Sequence, residues 1–162
     1  MQKTVIDPDY GEGLRELQGS GVNELIHSAG VVVDTTELRH VYLSGRLATD
    51  DGAPTAEGRQ RLVGEGDVKE QTRQVLRNLR AALQRFGGDV DDIVRVRVYV
   101  VAPMTKEMFG HIHEARAEVF HKEHYPASTL VVVSALVRAG ALIEIDADAV
   151  ISMDRIRGAG PA

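Results

Sequence analysis

The sequence predicts a domain of strands and helices in the order β-β-β-α-β-α-β-β, with two helices on one face of a sheet. Three observations support this arrangement. An apolar stripe at helical spacing spans residues 67–86. Residues 93–101 and 142–151 alternate between apolar and charged side chains, as strands with one buried face do. Two helices can cover only one face of such a sheet, so the charged residues should line the other.

The first third of the chain predicts an arm and then three strands. Residues 1–20 are polar and punctuated by glycine, which favours an irregular N-terminal arm. Residues 22–26 and 31–34 are predicted to form a short hairpin, and residues 40–45 a third strand. A polar, glycine-rich stretch follows and predicts a loop before the first helix.

The helix at residues 67–86 is the clearest element of the sequence. Its buried stripe is formed by Val68, Val75, Leu76, Leu79, Ala82, Leu83 and Phe86. Gly87 and Gly88 should end it, because glycine accepts the left-handed conformation that terminates helices. Thr105 is a suitable N-cap for a second helix that runs to about Phe120.

Three further strands are predicted at residues 93–101, 128–135 and 142–151. In the first of them, the residues expected to face the helices are Val94, Val96, Val98 and Val100. In the last, they are Ile143, Ile145, Ala147, Ala149 and Ile151. The opposite face then carries Arg95, Arg97, Tyr99, Glu144, Asp146 and Asp148. Charges of both signs predict ion pairs there and a surface covered by another copy of the chain, although an acidic strand face is also compatible with plain solvent exposure.

Composition limits the classes of function. The chain has 162 residues, of which 43% are hydrophobic and 27% charged, as expected for one globular domain. The absence of cysteine excludes disulfides, thiolate nucleophiles and thiolate metal sites. A net charge of −5 argues against nucleic-acid binding, because phosphate contacts need clustered positive charge. With no apolar signal sequence or membrane-spanning run, a cytoplasmic location without membrane contact is expected.

Several segments match one known family in the same order along the chain. They are Val-Tyr-Leu-Ser-Gly at residues 41–45, the helical segment 71–79, Gly87-Gly88 followed by residues 92–100, Pro126-Ala127, and Ile-Glu-Ile-Asp-Ala at residues 143–147. Through these segments the chain resembles the Rid/YjgF family of reactive-intermediate (enamine/imine) deaminases. The resemblance implies an α+β, chorismate-mutase-like (YjgF) fold with one mixed sheet, assembled as a homotrimer with ligand clefts between subunits. It divides the chain into an arm at residues 1–20, the domain at 21–155 and a flexible tail at 156–162.

The resemblance also implies a reaction and a set of catalytic residues. Family enzymes hydrolyse an imine or enamine of a small metabolite and release ammonia. The acidic residue of the last strand that holds the attacking water is matched to Asp146, a shorter carboxylate than the usual Glu. The Tyr of the family's early Gly-Pro-Tyr-Ser segment has no match, and residues 27–30 occupy that region. A neutral His27 imidazole there can act as a general base or hydrogen-bond donor.

Five further residues are implied to bind the substrate. Ser44 and Gly45 match the segment whose backbone contacts it, and Arg46 follows where Gln is common. His113 falls near a common Asn. Ser128 stands directly after Pro-Ala, where deaminating members carry an Arg that pairs with the substrate carboxylate. Arg46 is therefore one candidate for the missing carboxylate-binding charge, and a solvated Arg at a strand end is the alternative.

Two functions of different kinds follow. The first is a small-molecule hydrolase of the RidA-like type, acting on a carboxylate-bearing imine or enamine, such as a specialised catabolic intermediate. The alternative is a non-catalytic trimer that binds a ligand or a protein partner, which Ser128 favours. RNA cleavage ranks last, because the net charge is acidic and an aromatic content of 4% offers no stacking platform. No cofactor and no metal are predicted, since His121 and His124 would need a further ligand to hold zinc.

Overall fold

The structure, a computed structural model, describes residues 1–6, 27–50 and 60–158. Its strands are β1 (Gln2–Ile6), β2 (Gly30–Asp34), β3 (Leu38–Arg46), β4 (Ile93–Val101), β5 (Ala127–Val133) and β6 (Ile143–Ser152). Its helices are α1 (Val68–Gln84), α2 (Lys106–Ala117) and α3 (Met153–Gly158), with 3-10 turns at Val90–Asp92 and Lys122–His124. The strands form one sheet in the order β1-β2-β3-β6-β4-β5. Only β4 and β5 run parallel among these pairs, so the sheet is mixed.

The predicted helices are confirmed, and their ends follow from capping. The Asp67 side chain accepts hydrogen bonds from the backbone N–H groups of Lys69 and Glu70, which fixes the start of α1. Gly87 adopts a φ of 78°, the left-handed conformation expected after the helix. Thr105 caps α2 through the N–H of Met108, but α2 ends at Ala117 and not near residue 120.

The N-terminus differs from the prediction. Residues 2–6 form an edge strand, β1, which pairs antiparallel with β2, where the sequence favoured an irregular arm. Such a strand needs little apolar pattern, because backbone pairing holds it and only Ile6 packs against the core. The predicted strand at residues 22–26 lies outside the described residues. At the other end, α3 occupies residues 153–158, which overlaps the start of the predicted flexible tail.

The two faces of β6 are as predicted, and one residue of β4 is not. The inward residues of β6, Ile143, Ile145, Ala147, Ala149 and Ile151, are all buried. Val96, Val98 and Val100 are buried too, but Val94 is 50% exposed, so its predicted orientation toward the helices is wrong. The register between β4 and β6 shifts between Ile93 and Arg95, and Ile93 takes the inward position.

A buried glutamine ties α1 to the loop that leads into β6. The amide nitrogen of Gln71 donates to the carbonyls of Gly64 and Gly140, and its Oε1 accepts from the N–H of Leu142. These bonds satisfy a fully buried side chain and fix the start of β6. In the described part of the chain, no helix is long and apolar enough to cross a membrane.

Candidate active site

A carboxylate of β6 lies directly against a glycine of β3. A Cβ atom placed on Gly45 would be 1.9 Å from Oε1 of Glu144, so any other residue there would displace that carboxylate. Gly45 sits where the register between β3 and β6 shifts, between Leu43 and Arg46. The missing side chain and the irregular register together give Glu144 its place over the β3 backbone.

The electrostatic surroundings of Glu144 suit proton transfer. Burial, and then the nearby negative charge of Asp146, raise the pKa of the Glu144 carboxyl above its usual range. A carboxylate whose pKa is moved toward neutrality can both accept a proton and return it. The sequence placed Glu144 on the charged face but did not single it out.

Asp146, the predicted catalytic carboxylate, is held in a network of hydrogen bonds. Its Oδ1 accepts from Arg97 Nη1 at 2.5 Å, and its Oδ2 accepts from the Tyr99 hydroxyl at 3.1 Å. The same guanidinium donates from Nη2 to Asp148 Oδ2 at 2.7 Å. The predicted ion pairing of Arg97 with the acidic strand is confirmed. Both oxygens of Asp146 therefore have a protein donor, which makes this carboxylate less available to water; its catalytic role stays a prediction.

The pKa values of the two donors reflect this network. Hydrogen bonds to Asp148 and Asp146 raise the pKa of Arg97. Burial, and then the bond to Asp146, raise the pKa of the Tyr99 hydroxyl. We call the sheet surface formed by Arg97, Tyr99, Glu144, Asp146 and Asp148 the open face. Neither α1 nor α2 lies on it, since both pack against the opposite face of the sheet.

The candidates around Gly45 meet at the end of β3. Ser44 Oγ donates to the carbonyl of Ser28 at 2.7 Å, and Arg46 Nη2 donates to that of Ala29 at 3.5 Å. These bonds hold the segment before β2 beside the end of β3. His27, at the start of that segment, is exposed.

Ser128 and His113 form a separate group on the helical side of the sheet. Ser128 pairs in register with Val96, a buried residue under the helices, and its Oγ accepts a hydrogen bond from Nη2 of Arg116 at 3.1 Å. Burial, and then the charge of Arg116, lower the pKa of His113. We call His113, Arg116 and Ser128 the helical edge. Arg116 was not predicted from the sequence. Its only indication was Ser128, which stands where the family carries an arginine.

One chain therefore does not bring all the candidate residues together. Glu144 pairs in register with Tyr99, on the open face, whereas Ser128 pairs with Val96, on the opposite face. Paired residues on neighbouring strands point to the same side of a sheet. A single cleft that contains both Glu144 and Ser128 requires two copies of the chain.

Comparisons with known proteins agree with this fold and these motifs. The family model described as Endoribonuclease L-PSP matches residues 23–151. A RutC family protein of Pyrococcus horikoshii is 42% identical over 109 residues, which is 66% of this chain and 75% of the relative. The human 2-iminobutanoate/2-iminopropanoate deaminase is 31% identical over 124 residues, or 76% of this chain and 79% of that enzyme.

A solved structure extends the similarity to the whole fold. The crystal structure of a YjgF/YER057c/UK114 family member from Mycobacterium tuberculosis superposes with a TM-score of 0.63 at 25% identity. The match covers 93% of this chain and all of that one. Together with the family model, which spans most of the chain, these similarities show that the protein belongs to the Rid/YjgF (L-PSP, RutC) family.

Proposed function

We propose that the protein hydrolyses the imine or enamine form of a small carboxylate-bearing metabolite and releases ammonia. The observation that carries the proposal is the Glu144 carboxylate, lodged against Gly45 with a raised pKa. The similarity of this chain to the human 2-iminobutanoate/2-iminopropanoate deaminase supports the choice of substrate class.

In the proposed reaction, Glu144 acts as the general base. It takes a proton from water as the water oxygen adds to the imine carbon, and the π electrons of the C=N bond move to nitrogen. From the protonated imine this gives a carbinolamine; Glu144 then returns the proton to its nitrogen. Glu144 takes up the hydroxyl proton as the C–N bond breaks, ammonia leaves and the C=O bond forms. The net change is imine plus water to ketone plus ammonia. General acid–base catalysis of this kind contributes about 100- to 10,000-fold.

We assign the other residues of this end of the sheet to supporting roles. Ser44 and Gly45 shape the backbone at which the reacting carbon is held, and Arg46 and His27 stabilise charge that develops on the substrate. Asp146 fixes Arg97 and Tyr99 and helps to raise the pKa of Glu144. The water-holding role that the sequence predicted for Asp146 thus passes to Glu144 in this proposal.

We also propose that the catalytic assembly is a homotrimer with its clefts between subunits. Its support is the opposite orientation of Glu144 and Ser128, together with an open face that carries ion pairs and exposed apolar side chains such as Tyr42 and Val131. Light scattering should give a mass near three times 17.6 kDa. A monomer at micromolar concentration would contradict the proposal.

The decisive experiment measures ammonia release from 2-iminobutanoate generated in situ by an amino-acid oxidase. The wild-type protein should accelerate hydrolysis above the spontaneous rate, and Glu144→Gln should abolish the acceleration while the assembly stays intact. If the wild type gives no acceleration at any concentration, the enzymatic proposal fails.

The alternative is a non-catalytic trimer that binds a ligand or partner. Ser128 favours it, because the family's carboxylate-binding arginine is missing from that position. The same assay separates the two, since a binding protein would take up a carboxylate without releasing ammonia.

A further inference from the structure

The guanidinium of Arg116 is half-buried without an acidic partner among the described residues. Its recorded contacts are the hydrogen bond to Ser128 Oγ and the ring of Phe120, whose centroid lies 5.9 Å away. The nearest carboxylates along α2 are engaged elsewhere, because Glu114 pairs with Lys69 and Glu118 with Arg73, both at 2.6 Å. Burial lowers the pKa of Arg116, as expected for a charge that has lost water without gaining a counter-ion.

The hydrogen-bonding capacity left at this place suits an anion. A guanidinium has five N–H donors, and Arg116 donates one of them to Ser128 Oγ. Because Ser128 Oγ accepts that bond, its own proton is available for a ligand. Ser128 lies at the exposed start of the edge strand β5, so a small molecule can reach both groups.

We propose that Arg116, together with Ser128, binds the substrate carboxylate. The inference rests on the proposed function and names its substrate class, the small 2-imino acids. The guanidinium comes from the helix α2, whereas the resembling deaminases carry it on the strand residue after Pro-Ala. Ser128 then contributes a small hydroxyl that orients the guanidinium of Arg116. A second arginine at position 128 would repel that guanidinium.

Arg46 is the less suitable cation for this purpose. Its Nη2 already donates to the carbonyl of Ala29, so part of its guanidinium is engaged within the chain. Arg116 instead bonds Ser128, the residue that stands where the resembling deaminases carry their carboxylate-binding arginine.

Binding of 2-oxobutanoate, which keeps the carboxylate but cannot react, tests the inference by nitrogen-15 NMR titration of the intact assembly. We expect saturable shifts at Ser128 and His113, and none with 2-oxobutanamide, which lacks the charge. Arg116→Gln should weaken binding about 10- to 100-fold, the range for a charge-assisted bond. Arg116→Lys should recover part of the loss. Arg61→Gln, at a site 71% exposed on another loop, should leave affinity unchanged.

A rescue variant keeps the test decisive if the single substitution perturbs the fold. Ser128→Arg in the Arg116→Gln background restores a guanidinium at the same place and should restore affinity for 2-oxobutanoate. The inference is overturned if the wild type shows no saturable shift, or if Arg116→Gln binds as tightly as the wild type. Ammonia release is scored separately. If turnover occurs and does not depend on Arg116, the proposed hydrolase function stands and the role of Arg116 is overturned. If 2-oxobutanoate binds through Arg116 but no ammonia is released, the binding site stands and the hydrolase function fails.

Discussion

The open face and the helical edge carry opposite kinds of unbalanced charge. On the open face Arg97 is bound by two carboxylates, Arg95 pairs in register with one of them, Asp148, and the third carboxylate, Glu144, has a raised pKa. On the helical edge the guanidinium of Arg116 has no carboxylate among the described residues, and its pKa is lowered. The surplus is negative in one region and positive in the other.

This difference fits a substrate with two ends. A protonated imine is a cation, and a 2-imino acid also carries a carboxylate. In the proposed inter-subunit cleft, the surplus carboxylate of one copy would face the imine end, and the surplus guanidinium of another would face the acid end. Charge complementarity of this kind orients a small ligand more effectively than it adds affinity.

The largest expected effect separates Glu144 from its neighbour. Glu144→Gln should lower kcat for ammonia release about 100- to 10,000-fold, because the amide cannot accept a proton. Asp146→Asn should lower it less than tenfold, since the nearby carboxylate would still act as base. Steady-state rates of both variants on 2-iminobutanoate test this order. The reverse order would return the catalytic role to Asp146.

A methyl group at Gly45 should have the next largest effect. Gly45→Ala places a Cβ where Oε1 of Glu144 now lies, and the carboxylate must move by more than an ångström. A displacement of that size can cost on the order of 100-fold in rate. Gly110→Ala in α2 is the matched control, because nothing lies within 4 Å of the added Cβ. If both variants keep wild-type kcat, the Gly45–Glu144 contact is not part of the active site.

Loss of Arg97 should disturb stability more than chemistry. Arg97→Met leaves two partly buried carboxylates, Asp146 and Asp148, without their cation. The free energy of unfolding should fall by about 1–3 kcal/mol, as for buried polar groups left unpaired. Denaturant unfolding provides the measurement, and Arg77→Met, on the exposed side of α1, is the comparison. An equal loss in both variants would show that the open-face network adds no more stability than the exposed Arg77–Glu70 pair.

The sequence predicted much of the fold but only part of the site, for physical reasons. Alternation along β6 sets which residues face outward, so Glu144 and Asp146 were correctly placed on one face. Which carboxylate meets Arg97 depends on the register between β4 and β6, and no local pattern fixes that register. The bulge that exposes Val94 was missed for the same reason.

Arg116 shows a second limit of sequence patterns. A polar residue on a short helix is usually solvated surface, and its partner Ser128 lies 12 residues further along the chain. Only packing shows that the guanidinium is half-buried and reaches the strand. The missing arginine after Pro-Ala was visible in the sequence, but the residue that stands in its place came from another element.

The smallest expected effect concerns pH and bears on the surplus charge of the open face. Because the folded-state pKa of Glu144 is raised, the native state holds a proton there that the unfolded state has already released. Its contribution to stability is therefore present below the unfolded pKa and is lost as pH rises through the folded pKa. A glutamine at position 144 does not ionise, so Glu144→Gln does not lose this stability as pH rises. Its melting temperature should exceed that of the wild type by a few degrees at pH 8. At pH 4, where Glu144 is protonated in the wild type, the difference should shrink.

Asp148→Asn, which breaks an ion pair, should do the opposite and destabilise at pH 8. A Glu144→Gln variant that melts below the wild type at pH 8 would show that this carboxylate is paired and not in surplus.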